Sequence, residues 1–185
     1  ILCGKKGAMS LRVIAGKAKG RKLRSVPGDT TRPITDRVKE ALFNIVSGDV
    51  VASRWWDLFG GTGAVGIEAL SRGAAFVRFT DSNRAPIETI RFNVEHCGFG
   101  SQVDIRRADA FTYLAAPPDS TFEYVYIAPP QFKDMWIKAL ELVDDNIGWL
   151  ASDGWVVVQI APREYRHAQV TLNNLELFDE RTYGS

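Results

Sequence analysis

Apolar positions along this chain alternate between two rhythms, one helical and one extended. From Thr35 to Val46, the residues Val38, Leu42, Ile45 and Val46 fall on one helical face, with Pro33 ahead and Gly48 behind. Arg54–Phe59 is a compact apolar run that predicts a strand. Ala64–Ser71 returns to helical spacing and stops at Gly73. The pattern then repeats: strand at Phe76–Thr80 ending on Asp81, helix at Pro86–His96 stopped by Gly98, strand at Val103–Arg106, and a short helix at Phe111–Leu114. Tyr124–Ile127 predicts a fourth strand, halted by Pro129-Pro130. A helix at Asp134–Leu142 and a fifth strand at Trp155–Ile160 follow, and Leu175–Phe178 is expected to begin a sixth.

Strands alternating with helices predict an α/β fold, a mostly parallel sheet covered by helices on both faces. Ahead of it, Leu11, Val13, Leu23 and Val26 are apolar, and Gly16 and Gly20 are turn signals. That combination predicts a tight hairpin or a short bent strand pair. We divide the chain into a basic N-terminal arm, 1–31, and a main domain, 32–185, that ends without an obvious closing strand. Ile1 to Ala8 precede Met9 and are taken as a vector or processing remnant.

Composition narrows the class. At 185 residues, 45% hydrophobic and 24% charged, the chain has the make-up of one globular domain. No apolar run reaches membrane-spanning length. Cys3 and Cys97 are too few for a disulfide framework and lack zinc-site spacing, which favours a reducing compartment. The net charge of +1 hides an asymmetry. Residues 1–39 carry eleven Lys or Arg against two acids, a balance of +9, and the rest carry 12 against 20, a balance of −8. Charge runs are commonly solvated. Here the cations sit inside an organised segment, so we read Arg12, Lys17, Lys19, Arg21, Lys22, Arg32 and Arg37 as contacts to a phosphate backbone.

The chemistry concentrates where Trp55-Trp56-Asp57-Leu58-Phe59 runs into Gly60-Gly61-Thr62-Gly63-Ala64-Val65-Gly66. Glycines let a loop backbone approach a ligand where a Cβ would collide, and the helix behind them offers N–H groups and a positive dipole end. The G-x-G-x-x-G spacing suits a dinucleotide as well as S-adenosylmethionine, and Gly66 serves close helix packing in either case. Asp81, closing the second predicted strand, suits the two ribose hydroxyls of an adenosine. Asp109, with Ala110 behind it, either lines an adenine pocket, caps the helix at Phe111, or does both.

The end of the fourth predicted strand separates the two cofactors. Ala128-Pro129-Pro130-Gln131-Phe132 places two prolines at the edge of an open sheet where ligands bind. Prolines end a strand, and they also hold carbonyls outward as rigid acceptors. An acceptor beside an aromatic ring is what the amino group of a planar base needs when it meets an electrophile.

Three ordered motifs resemble the RsmD family, the 16S ribosomal RNA guanine-N2 methyltransferases. The first is Arg12-Val13-Ile14-Ala15-Gly16 with Gly20-Arg21-Lys22-Leu23. The second runs from Arg32-Pro33-Ile34-Thr35-Asp36-Arg37 through Val38-Lys39-Glu40-Ala41-Leu42-Phe43-Asn44. The third spans Asp57-Leu58-Phe59 through Leu70-Ser71-Arg72-Gly73-Ala74. The resemblance implies a Rossmann-like methyltransferase using S-adenosyl-L-methionine. It places Asp57, Phe59, Gly61 and Gly63 in the cofactor loop, Asp81 at the ribose, and Asp109 and Ala110 at the adenine pocket. It puts Ala128, Pro129, Pro130, Gln131 and Phe132 at the transfer site. The family pattern there is Asp or Asn, two prolines, then an aromatic. This chain has Ala128 first and Gln131 fourth, with Phe132 one place late.

The first expectation is therefore a methyltransferase acting on ribosomal RNA or a small-subunit assembly particle. It would work as a monomer without metal or membrane, in a bacterial cytoplasm or, for a plant protein, an organelle stroma. A second is an RNA-binding or assembly protein that kept the fold without turnover. A third, a nicotinamide dehydrogenase, rests on the glycine pattern alone: there is no separate substrate domain and no catalytic His–carboxylate pair, His96 reading as a helix-end surface residue and His167 as a loop residue.

Overall fold

The computed structural model describes residues 11–28, 34–130, 134–165 and 170–182. Arg32, Pro33, Gln131, Phe132 and His167 lie outside them. The helix α1 spans Asp36–Val46, and the Thr35 hydroxyl caps it by accepting from the Val38 N–H at 3.3 Å. Then follow β1 (Arg54–Asp57), α2 (Ala64–Ser71), β2 (Phe76–Asp81), α3 (Arg84–Cys97), β3 (Val103–Arg107), α4 (Ala110–Leu114), β4 (Phe122–Ile127), α5 (Met135–Asp145) and β5 (Leu150–Val158).

The five strands form one sheet in the order β3-β2-β1-β4-β5, and every pairing is parallel. The chain builds outward from β1 through β2 to β3, then returns to the other side of β1. The reversal lies between β1 and β4, where open α/β sheets bind ligands. Because all strands run the same way, their carboxyl ends share one edge.

Side-chain alternation along the strands sorts the core into two layers. Trp55, Val77, Phe79, Tyr124 and Tyr126 face α1, α2 and α3, whereas Trp56, Val125 and Ile127 face α4 and α5. Trp55 stacks on Tyr124 with ring centroids 4.4 Å apart, and Trp56 packs on Trp149 at 4.7 Å. The Trp56 indole donates to the Thr80 hydroxyl at 2.7 Å, which satisfies its one polar atom inside the core.

The predicted N-terminal hairpin is present. An antiparallel bridge joins Arg12 and Lys22, and the Leu23 N–H donates to the Leu11 carbonyl at 2.8 Å. Leu11, Val13, Ala18 and Leu23 insert into the same core layer as α1 and α2. The fifth strand begins five residues earlier than its apolar run, at Leu150. The expected strand at Leu175–Phe178 is absent: this segment has no regular structure. Its backbone is engaged elsewhere. The buried Asp144 carboxylate accepts from the N–H groups of Asn173, Asn174 and Leu175 at 2.7–2.8 Å, so the chain turns around a side chain instead of pairing with β5.

Candidate functional site

The glycine loop joins β1 to α2 and is bound to the end of β2 at two points. Gly60 N–H donates to the Thr80 carbonyl at 2.8 Å, and Gly61 N–H donates to Asp81 Oδ2 at 3.2 Å. The other Asp81 oxygen accepts from Asn83 N–H at 2.9 Å. The structure thus brings together the loop and the acid singled out for an adenosine ribose. Gly61 and Gly63 have φ of +53° and +76°, the left-handed region that glycine tolerates. A Cβ on Gly61 would meet only the Phe59 carbonyl, at 3.9 Å, so the loop is open there. Gly66 has a different reason: a Cβ there would lie 2.4 Å from the Phe79 ring, so this glycine lets α2 approach the sheet.

Asp57 ends β1 beneath the loop and is buried. Among the described residues it accepts from Gly66 N–H, at a long 3.4 Å. Burial in the apolar layer pushes its carboxyl up to about 8, against the weaker pull of that N–H, and the nearby Asp81 charge adds to the rise. Its register partner on β4 is Tyr126, whose hydroxyl donates to the Gln159 side chain. Burial, then the Asp57 charge, pushes the Tyr126 phenol up as well.

Asp109 caps α4, accepting from the Thr112 N–H at 2.9 Å and the Thr112 hydroxyl at 3.0 Å, and these bonds hold its carboxyl low. Ala110 behind it is buried. Phe59 is half-buried and meets Phe111 edge-on at 6.2 Å. At the end of β4, Ala128 is half-buried, Pro129 buried and Pro130 exposed. Asp57, Asp81, Asp109 and Ala128 all lie at or just beyond the carboxyl ends of their strands, which the parallel sheet collects at one edge.

The basic residues sit differently. Arg12, Lys17, Lys19, Arg21, Lys22 and Arg37 are all exposed. Arg12 pairs with Asp36 at 2.9 Å, and Arg21 donates to the carbonyl of His96, the exposed helix-end residue expected there. Lys17, Lys19 and Lys22 complete a basic hairpin surface.

Sequence reasoning missed the buried polar residues that hold this hairpin in place. Glu68 of α2 is fully buried and accepts from the N–H groups of Ile14 at 2.8 Å and Ala15 at 3.0 Å, and from Arg72 at 2.8 Å. Lys39 of α1, also fully buried, lies 3.5 Å from Glu68 and donates to the Arg12 carbonyl. Its desolvation lowers the ammonium pKa, while Glu68 opposes the shift. Ser71 binds the hairpin at Ala15 and Ala18. The signal was legible: Lys39 occupies the helical stripe of Leu42, Phe43 and Val46, and a charge at a core position must be partnered. Among the described residues, no cluster of His, Cys, Asp or Glu is placed to hold a metal ion.

Comparison with known proteins agrees with this geometry. The family described as "Conserved hypothetical protein 95" matches residues 11–185. The "Putative rRNA methyltransferase YlbH" of Bacillus subtilis is 36% identical over 176 residues, covering 94% of each chain. The "Ribosomal RNA small subunit methyltransferase D" of Escherichia coli is 33% identical over 153 residues, 83% of this chain and 76% of the relative. The crystal structure of "putative methylase HI0767" from Haemophilus influenzae superposes with a TM-score of 0.77 at 28% identity, over 95% of this chain and 93% of that one. A chain with this parallel sheet, this glycine loop and this extent of similarity belongs to the RsmD family of Rossmann-like methyltransferases, matched through "Conserved hypothetical protein 95".

Proposed function

We propose that this protein methylates the exocyclic amine of a guanine in small-subunit ribosomal RNA, with S-adenosyl-L-methionine as methyl donor. The observation that carries the reading is the single sheet edge shared by the glycine loop, Asp81 and the Ala128-Pro129-Pro130 turn. The open face at Gly61 and the carboxylate beside it fit an adenosine-bearing ligand. Gly61 and Gly63 would hold it against the loop, Asp81 its ribose, and Asp109 and Ala110 its base, with Asp57 and Phe59 as the floor. When bound, that cofactor supplies a methyl group on a sulfonium, an electrophile that carries its own charge.

The protein's share of catalysis is then alignment. The carbonyls of Ala128 and Pro129 would accept hydrogen bonds from the guanine amine and so orient it toward the methyl donor. As the new N–C bond forms, the methyl's C–S bond would break, the sulfur would leave as a neutral thioether, and the proton lost by the amine would pass to water. Ala128 brings no side-chain acceptor, so by sequence position the amide of Gln131 would replace it and Phe132 would supply the stacking plane. The base must leave its stack to reach this edge. The basic hairpin would bind the surrounding backbone through Lys17, Lys19 and Lys22, with Arg12, Arg21 and Arg37 also exposed, and by sequence Arg32 would add a further contact. Bacterial cytoplasm is the setting that suits a ribosomal RNA substrate.

Labelled methyl transfer to small-subunit RNA and to the assembling particle, followed by mass-spectrometric mapping, tests the reading. We expect methyl on guanine N2. Tight NAD binding without S-adenosylmethionine binding would overturn it. Replacing Lys17, Lys19 and Lys22 with Ala should reduce the log–log salt slope of RNA binding by about 0.7–0.9 per lost phosphate contact. The missing acceptor at Ala128 favours one competitor, an assembly protein that binds RNA without turnover. That reading predicts RNA binding with no methyl transferred to either substrate.

A further inference from the structure

We propose that Asn93 is a positioning residue that couples the RNA-binding hairpin to the cofactor loop, so that each ligand raises the affinity of the other. This rests on the function proposed above. Asn93 lies on the buried face of α3 in step with Ile90, Val94 and Cys97, and none of its surface is exposed. Its side-chain oxygen accepts from the Arg24 N–H at 2.8 Å. Its side-chain nitrogen donates to the Arg24 carbonyl at 3.0 Å and to the Thr62 carbonyl at 2.9 Å. An N–H needs an acceptor and two carbonyls need donors, so these partners allow only one orientation of the amide.

The two ends of this bridge are the two proposed ligand sites. Thr62 is the centre of the glycine loop. The peptide that joins it to Gly63 is held on both sides, its carbonyl by Asn93 and its N–H by the Gly60 carbonyl at 2.7 Å. Asn93 therefore sets the direction of one peptide in the surface that receives the cofactor. Arg24 is the continuation of the hairpin strand that carries Arg21 and Lys22. Its guanidinium lies 3.5 Å from the centre of the exposed Phe92 ring, one residue before Asn93. Glu68 and Ser71 tie the hairpin to the body of α2, whereas Asn93 bonds directly to both hairpin and loop, its two donated protons shared between them.

A purely structural asparagine would alter stability alone. A coupling residue alters the factor by which one ligand changes the affinity of the other, and that factor is the same measured from either side. S-adenosylhomocysteine, which cannot transfer a methyl group, and a small-subunit ribosomal RNA transcript are the probes, titrated singly and together against the full chain. In the unmodified protein we expect each to tighten the other by at least about fivefold, the lower end of ordinary coupling. In Asn93→Asp, which keeps the acceptor for Arg24 and loses both donated bonds, the factor should fall to one. Val143→Ala, a cavity in the opposite core layer, should retain it. Hydrogen exchange in the unmodified protein gives a readout that needs no variant: S-adenosylhomocysteine should slow exchange of the Arg24 amide. Two ligands that bind without affecting each other, an Arg24 amide indifferent to the cofactor, or a variant that keeps the full factor would each overturn the coupling while leaving the function intact. A protein that binds neither probe overturns both.

Discussion

Asp57→Asn should change how stability responds to pH, because the carboxyl it removes is buried and, among the described residues, supported by one long hydrogen bond. The unfolded chain releases this proton near 3.8, and the folded chain holds it up to about 8. Between those values the folded state binds the extra proton, so stability is full at low pH and is lost as pH rises through the folded value. Each pH unit in that window carries about 1.4 kcal/mol. From pH 5 to pH 8 the loss is on the order of 3–4 kcal/mol, a large fraction of the roughly 5–15 kcal/mol that holds an ordinary domain together. An amide of the same shape has no proton to lose. Urea unfolding of both proteins without cofactor, at pH 5, 6, 7 and 8, gives the difference between them. Contributions from carboxylates held low, such as Asp109 and Asp144, largely cancel in that difference. The variant should gain on the unmodified protein steadily as pH rises. Two parallel curves would mean that Asp57 is ionised throughout, and the claim that burial controls it would be wrong.

Gly66→Ala drives a methyl group into the Phe79 ring and should cost about 1–3 kcal/mol in urea unfolding; an unchanged midpoint would show that α2 can shift freely. Asp81→Ala removes the acceptor for Gly61 N–H as well as the proposed ribose contact, and should weaken S-adenosylmethionine by about 1.5–3 kcal/mol in calorimetry. Unaltered affinity would remove Asp81 from the site. Ala128→Asn restores the side-chain acceptor at the end of β4, and a bond worth about 1.4 kcal/mol in the transition state should raise single-turnover methyl transfer roughly tenfold. Gln131→Ala should then slow the unmodified enzyme more than the Ala128→Asn variant. No change in either would end the argument that Gln131 substitutes for an acceptor.

The order of elements was written in local pattern. The strands and helices of the sheet were legible because compact apolar runs, buried on both faces, alternate with apolar spacing near 3.6, and because Gly73 and Gly98 stop helices where they stand. The glycine loop and its acid were legible for the same reason: Asp81 closes a strand, and in a parallel sheet every strand closes at the same edge. Where a side chain competes with the ladder, local pattern loses. Leu175–Phe178 has the composition of a strand, yet Asp144 captures the backbone N–H groups just ahead of it, and a carboxylate 29 to 31 residues away leaves no trace in a short window.

Tertiary structure alone decided what the polar core residues do. Lys39, Glu68 and Asn93 each stand in an apolar stripe, which shows that they need partners but not which ones. Each bonds backbone groups of the hairpin, 27 to 69 residues away, and every residue but proline offers the same N–H and C=O. The raised Asp57 carboxyl is likewise a property of enclosure: the residue type sets its ordinary value, and only the packing of α2 over β1 and β2 removes the water that would keep it charged.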